Sequence, residues 1–282
     1  MTTRSVGVVG AGTMGNGIAQ VFAQAGFNVI MTDVSQAALD RGLAAISSSL
    51  SRLVKKGVFN DNEAVSILSR IRGSTALADL AGCELVVEAA TENAQIKEQI
   101  FRQLADAVPA DTILASNTSS ISLTTIASWV KKPERVIGMH FMNPVPVMQL
   151  VEIIRALQTS DDTHARIHAL SLELGKTPVT VKDGAGFVSN RVLMPMINEA
   201  AFVLYENLAS AEDIDTVMKL GMNHPIGPLA LADLIGLDTC LSIMDILYRE
   251  FRDSKYRACP LLVQLVAAGQ LGRKSGKGFY AY

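Results

Sequence analysis

The sequence predicts an α/β fold, a mostly parallel sheet with helices on both faces, followed by an all-α C-terminal domain. Three observations carry this reading. Ser5-Val6-Gly7-Val8-Val9 runs into Gly10-Ala11-Gly12-Thr13-Met14-Gly15 and emerges at Asn28-Val29-Ile30-Met31-Thr32-Asp33, which reads as strand, glycine turn, helix and strand. Short apolar, β-branched runs then alternate with amphipathic helical segments as far as Lys182, the pattern of a parallel sheet. From Phe187 onward strand patterns vanish and helical periodicity takes over. The domains expected are a nucleotide-binding domain over residues 1–184 and a helical domain over residues 185–282.

The first segment is a Rossmann-type dinucleotide fingerprint. Gly10 allows the tight turn, Gly12 lets the backbone approach a pyrophosphate, and Gly15 lets the helix pack on the strand. Thr13 and Met14 complete the turn, and the phosphates would sit on the helix N-terminus, where N–H groups and the dipole favour an anion. Asp33 ends the second strand eighteen residues after Gly15, where a carboxylate bonds ribose hydroxyls and repels a 2′-phosphate. NAD is therefore expected over NADP. A secretory signal is the competing reading, because Arg4 precedes an apolar stretch and Ala23-Gln24-Ala25 mimics a cleavage site. Glycines and amides interrupt that stretch, so the signal is rejected.

At 282 residues, 49% hydrophobic and 18% charged, the chain has material for two domains with cores. A net charge of −2 gives no footprint for nucleic acid. Cys83, Cys240 and Cys259 form no pair at metal-site spacing, so no disulfide framework and no zinc site are expected and a reducing cytoplasm fits. No apolar run reaches the roughly 18 residues of a membrane span.

Beyond Asp33, Ser35 caps a long helix with the stripe Leu39, Leu43, Ile46, Leu50 and Leu53. Ser49 and Lys56 lie seven residues apart on one side of it. On spacing alone, Lys56 next to Gly57 reads as an ordinary helix C-terminus. A helix over residues 62–71 and a strand over residues 83–90 follow, then Thr91-Glu92-Asn93 and a further helix. The strand at residues 112–115 stops at Ser116-Asn117-Thr118-Ser119-Ser120, a polar cluster at the ligand-binding end of such a sheet. The strand at residues 135–141 ends in His140-Phe141, and Leu150-Val151-Glu152-Ile153-Ile154 carries one carboxylate among apolar residues. A buried carboxylate needs a partner. Histidine and glutamate at the ligand-facing end of a dinucleotide fold are a candidate base and its orienting acid. His164 and His168, four residues apart with no third ligand, read as a solvated helix face. The helical domain is expected at residues 188–206, 211–219, 229–251 and 260–267, with Asn190 in the first turn. Met194, Met196, Met218 and Met244 read as core or subunit-interface packing, and the basic, glycine-rich tail could be flexible or fold back on its aromatics.

The glycine turn, Thr91-Glu92-Asn93, Ser116-Asn117-Thr118-Ser119-Ser120, His140-Phe141-Met142-Asn143-Pro144-Val145-Pro146, Leu150-Val151-Glu152, Gly186-Phe187-Val188-x-Asn190-Arg191 and Gly276-x-Gly278-Phe279-Tyr280 together resemble the short-substrate L-3-hydroxyacyl-CoA dehydrogenase family, bacterial 3-hydroxybutyryl-CoA dehydrogenases in particular. The resemblance implies that His140 is the catalytic base, Glu152 its partner, and Ser119 and Asn190 contacts of the reacting oxygen or thioester. It places cofactor contacts on Asp33, Glu92, Lys97, Asn117, Asn143 and Lys274. It places CoA contacts on Ser119, Ser49 and Lys56, against the capping reading of Lys56. It also implies an acyl-CoA substrate and a homodimer joined through the helical domain. Met142 departs from the Phe common in the family, at a position that donates no chemistry. Two alternatives are a hydroxyacid or sugar-acid dehydrogenase on the same scaffold, such as an L-gulonate dehydrogenase, and a nucleotide-binding protein without turnover. The 3-hydroxyisobutyrate branch needs a lysine four residues before the helical asparagine, where this chain has Gly186.

Overall fold

The computed structural model describes residues 4–282 and divides into two units, one ending at Asp183 and one spanning Gly184–Tyr282. The strands of the first unit are β1 (Ser5–Val9), β2 (Asn28–Thr32), β3 (Ile71–Ser74), β4 (Leu85–Glu88), β5 (Ile113–Ser116), β6 (Val136–Phe141), β7 (Leu150–Arg155) and β8 (Thr177–Lys182). They form one sheet in the order β3-β2-β1-β4-β5-β6-β7-β8. The first six run parallel, whereas β7 reverses against β6 and β8 follows β7. Every residue of β4, β5 and β6 is buried. That is why these segments read as continuous apolar runs, since a central parallel sheet is covered on both faces.

One face packs on α1 (Thr13–Gln24), α2 (Gln36–Lys55), α3 (Asp61–Ser69) and α6 (Asp161–Glu173). Val6, Val8, Val87 and Ala115 join Ile18, Phe22, Leu39, Ile67 and Ile167 in a single core there. Alternation turns Gly7, Val86 and Gly138 to the other face. That face carries α4 (Ala94–Ala107) and α5 (Leu123–Ser128): Gly138 abuts Leu123, and Phe101 of α4 packs edge-on against Trp129. The same alternation puts Glu88, Ser116, His140 and Glu152 on this second face, in neighbouring strands.

The second unit comprises α7 (Ser189–Tyr205), α8 (Ala211–Gly221), α9 (Pro228–Ile235), α10 (Leu237–Phe251) and α11 (Pro260–Ala267). They pack around Met194, Ile197, Leu229, Leu237, Met244 and Leu262. The tail folds back. The carboxylate of Asp233 accepts the N–H groups of Phe279 and Tyr280, both at 2.9 Å, and the Tyr280 hydroxyl donates to Asp215 at 2.8 Å.

Two expectations are corrected. The helix expected over residues 62–71 ends at Ser69, and Ile71 opens β3, an edge strand recruited by pairing with β2 through Val29 and Ile71. The helix expected over residues 229–251 is broken into α9 and α10 by Gly236, whose φ of +105° no helix accommodates.

Candidate active site

The glycine turn is shaped by steric necessity. Gly10 has φ +102°, and a Cβ on it would lie 2.7 Å from the Ala89 carbonyl oxygen. A Cβ on Gly15 would lie 1.8 Å from the Gly10 carbonyl oxygen, so only glycine lets α1 close on the turn. Gly12 is the opposite case: nothing lies within 4 Å of where its Cβ would stand. Gly12 and Thr13 are exposed, no side chain caps the start of α1, and its first turn holds no acid. That leaves a side-chain-free approach to the helix N-terminus, which fits a pyrophosphate. Asp33 belongs to the same construction, because its carboxylate accepts the Ala11 N–H at 3.0 Å and the Ser35 N–H at 3.1 Å. It is half-buried at the end of β2, with Val34 beside it fully exposed. These residues fit a dinucleotide.

At the carboxyl ends of β4 and β5 a polar network ties two loops together. Glu92 accepts the Thr118 hydroxyl at 2.7 Å, the Ser119 N–H at 2.7 Å and the Ser119 hydroxyl at 3.0 Å. The Asn117 N–H donates to the Glu88 carbonyl at 2.8 Å, and its side-chain oxygen accepts the Phe141 N–H at 2.9 Å. One amide thus fixes the end of β5 against the strand that carries His140. Underneath, Glu88 binds the Lys97 ammonium, the Ser116 hydroxyl at 2.8 Å and the Ala90 N–H at 2.9 Å. Ser116 in turn accepts the Thr118 N–H at 3.2 Å. Lys97 is 1% exposed, so the structure holds its ammonium on Glu88 beneath the loops and does not present it at the surface. Ser116 and Thr118 belong to the polar cluster that the sequence sets at this end of the sheet, with no role of their own assigned there, and Glu88 was not singled out. Glu88 carried the same signal as Glu152, a carboxylate in an apolar strand.

His140 and Glu152 are register partners in the β6–β7 pair. The His140 Nδ1 lies 2.8 Å from Glu152 Oε2, with both residues buried. A carboxylate at Nδ1 selects the tautomer with its proton there and makes Nε2 the basic atom. It also stabilises the imidazolium once Nε2 takes a proton. Asn143, two residues past the strand, is exposed.

The remaining expected residues divide between the two units. Ser49 is half-buried on α2, and Lys56 is exposed at its C-cap, where Gly57 turns the chain with φ +70°. In the second unit, Asn190 lies in the first turn of α7, and the Lys274 ammonium bonds Asp238 at 2.5 Å. His164 donates to or accepts from the Thr180 hydroxyl at 2.8 Å through Nε2. Cys83, Cys240 and Cys259 are free and buried; burial pushes the thiol of Cys83 up to about 11 and that of Cys240 up to about 12, which leaves them protonated at neutral pH. Among the described residues no helix is long and apolar enough to cross a membrane.

A glycine turn open to a pyrophosphate, a carboxylate at the end of β2 and a buried imidazole–carboxylate pair at one end of the same sheet fit a nicotinamide-dependent dehydrogenase. The comparisons with known proteins give the particular kind. Residues 5–184 match the model of the 3-hydroxyacyl-CoA dehydrogenase NAD binding domain, and residues 186–282 match that of the 3-hydroxyacyl-CoA dehydrogenase C-terminal domain. The chain belongs to the 3-hydroxyacyl-CoA dehydrogenase family. It is 56% identical to a Deinococcus radiodurans protein named "Probable 3-hydroxybutyryl-CoA dehydrogenase", over 98% of this chain and 99% of the relative. It is 51% identical to the 3-hydroxybutyryl-CoA dehydrogenase of Bradyrhizobium diazoefficiens, over 99% and 95%. The crystal structure of (S)-3-hydroxybutyryl-CoA dehydrogenase from Ralstonia eutropha superposes with a TM-score of 0.96 at 58% identity, covering 100% of this chain and 99% of that one.

Proposed function

We propose that the protein interconverts (S)-3-hydroxyacyl-CoA, 3-hydroxybutyryl-CoA in the first place, and the 3-oxoacyl-CoA, here acetoacetyl-CoA. The observation that carries the reading is the His140–Glu152 bond at the sheet end where the glycine turn and Asp33 also stand. NAD, when bound, takes up or supplies the hydride. In the oxidative direction His140 Nε2 removes the proton of the C3 hydroxyl, while Glu152 holds the imidazole by Nδ1 and stabilises its cation. In reduction the imidazolium returns that proton to the C3 oxygen. The Gly10, Gly12, Thr13, Met14 and Gly15 turn holds the pyrophosphate and Asp33 the adenosine ribose. Asn117 and Glu92 face the same end, and Asn143 follows the catalytic strand. We assign Ser119 and Asn190 to the substrate's oxygens, and Ser49 and Lys56 to the CoA moiety, on the family resemblance. Lys274 is assigned to the cofactor on the same basis. The test is loss of NADH absorbance on adding acetoacetyl-CoA. No turnover with acetoacetyl-CoA, or equal turnover with free hydroxyacids and sugar acids in the reverse direction, would overturn the reading.

Cofactor choice follows Asp33. Native enzyme is expected to prefer NADH over NADPH in kcat/KM, and Asp33→Ser to narrow the gap from both sides. Removing the carboxylate removes repulsion of the 2′-phosphate, and it also removes the acceptor of the Ala11 N–H, which weakens NADH use. Equal native kcat/KM for the two cofactors would rule this out.

The protein acts as a homodimer through its helical unit. An apolar groove of about 490 Å³ opens there, lined by Met196, Val203, Leu208, Ile214, Val217 and Met218. Of its lining Leu208 and Val217 are exposed, as is Leu220 on α8. Contiguous apolar surface of this kind marks association sites, and the two methionines suit a packed interface. Sedimentation at micromolar concentration should give twice the chain mass of 30.1 kDa, and a monomer mass would refute it. Three free, buried cysteines accord with a cytoplasmic setting.

A further inference from the structure

The connection from β6 to β7, residues 142–149, runs outside the ladder, yet it joins the strands that carry His140 and Glu152. We propose that Lys176 is the positioning residue of this connection, its buried ammonium gripping the backbone so that His140 stays opposite Glu152. The ammonium donates to the carbonyl of Val145 at 2.6 Å and to that of Met148 at 2.7 Å. These are two ends of one turn, which the Pro144 carbonyl closes by accepting the N–H groups of Val147 and Met148, each at 3.0 Å.

The grip is anchored at its other end. Lys176 leaves α6 in a fixed backbone: its N–H donates to the Ser171 carbonyl at 3.0 Å, and that of Gly175, with φ +70°, donates to Leu172 at 2.9 Å. The next residue, Thr177, donates to Gln149 at 2.8 Å and opens the β7–β8 pairing. On the opposite side the connection is seated on α1. Val145 is buried, and a Cβ on Gly17 would lie 2.9 Å from its Cβ. The turn is thus held between the helix that starts at the pyrophosphate turn and the lysine.

Lys176 is 8% exposed, and burial lowers its pKa. A buried ammonium is costly unless its donors are used, and here two of the three are used on main-chain oxygens of this turn. Phe141 with Val151, then His140 with Glu152, are the ladder pairs nearest the connection, so slack in it reaches the imidazole first. Asn143 stands in the same stretch. A lysine of purely structural role would alter the melting temperature alone.

The inference rests on the dehydrogenase reading, which wild-type turnover of acetoacetyl-CoA with NADH tests separately. Full-length wild type, Lys176→Met and Lys176→Gln are compared well below their melting temperatures. Lys176→Met keeps length and loses all donors; Lys176→Gln keeps one shorter donor group. We expect kcat to fall about 10- to 100-fold in Lys176→Met, the range of a roughly 1 Å misplacement at a reacting group, and less in Lys176→Gln. KM for acetoacetyl-CoA should stay within about twofold. The low-field proton resonance of the His140–Glu152 bond, assigned by its absence in His140→Ala, should broaden or shift in both variants. A lowered melting temperature with wild-type kcat and an unmoved resonance overturns the proposal. Should Lys176→Met fail to fold, Lys176→Gln decides by the same two readouts.

Discussion

Replacing His140 by alanine is expected to lower kcat about 10²- to 10⁴-fold, the usual cost of removing a positioned general acid or base. NADH affinity, followed by fluorescence, should stay within about twofold, because the pyrophosphate turn and Asp33 lie at β1 and β2, three strands or more from β6 in the sheet. Glu152→Gln tests the second member of the pair. Its side chain still reaches Nδ1, at 2.8 Å in the native protein. An amide, however, neither stabilises the imidazolium nor enforces one tautomer, since it offers a donor as readily as an acceptor. A large loss in kcat with little change in either KM is therefore expected, the pattern of an interaction made in the transition state. Wild-type kcat in His140→Ala would end the acid–base assignment. Wild-type kcat in Glu152→Gln with a lowered melting temperature would leave Glu152 as a buried partner that serves the fold alone.

The parts of this site that were legible in the sequence are those set by local backbone constraint or by polarity in the wrong place. Gly10 and Gly15 could be read because turn and close approach leave room for nothing else. His140 and Glu152 could be read because each interrupts an apolar strand. Their pairing could be anticipated, although the antiparallel register that makes them neighbours comes from the β6–β7 reversal. What was not legible depends on distant chain. The strand β3 is four residues long, too short for alternation to declare itself, and exists because β2 offers an edge. Gly236 sat inside a helical pattern that tolerates one glycine; its positive φ emerges where Gly272 and the tail pack on Asp233, the turn preceding it. Side-chain direction was the least accessible. The resemblance sets Lys97 among the cofactor contacts, and nothing local in the sequence tells that its side chain points down to Glu88, nine residues earlier, and is sealed there. The tail lysine Lys274 likewise spends its charge on Asp238 of α10.

The burial of Lys97 makes a second strong expectation. Both members of the Glu88–Lys97 pair are essentially without solvent, at 0% and 1% exposure. An ion pair taken out of water gains little over an apolar pair, but removing one partner leaves a charge that the interior cannot solvate, at a cost of about 3–5 kcal/mol. In Lys97→Met the Glu88 carboxylate would retain the Ser116 hydroxyl and the Ala90 N–H as partners. The melting temperature is accordingly expected to fall by roughly 10 °C, taking about 2–4 °C per kcal/mol for a unit of this size. The double variant Glu88→Gln, Lys97→Met removes the orphaned charge and should recover most of that loss, which circular dichroism melts would register directly. The pair also gives a test of the cofactor role proposed for Lys97. Glu88 fixes the start of the loop carrying Glu92, and through Ser116 it fixes the Thr118 N–H beside Ser119. If Lys97 acts through that scaffold, NADH affinity falls in Lys97→Met and returns with stability in the double variant. If its ammonium touches the cofactor itself, stability returns and NADH affinity does not.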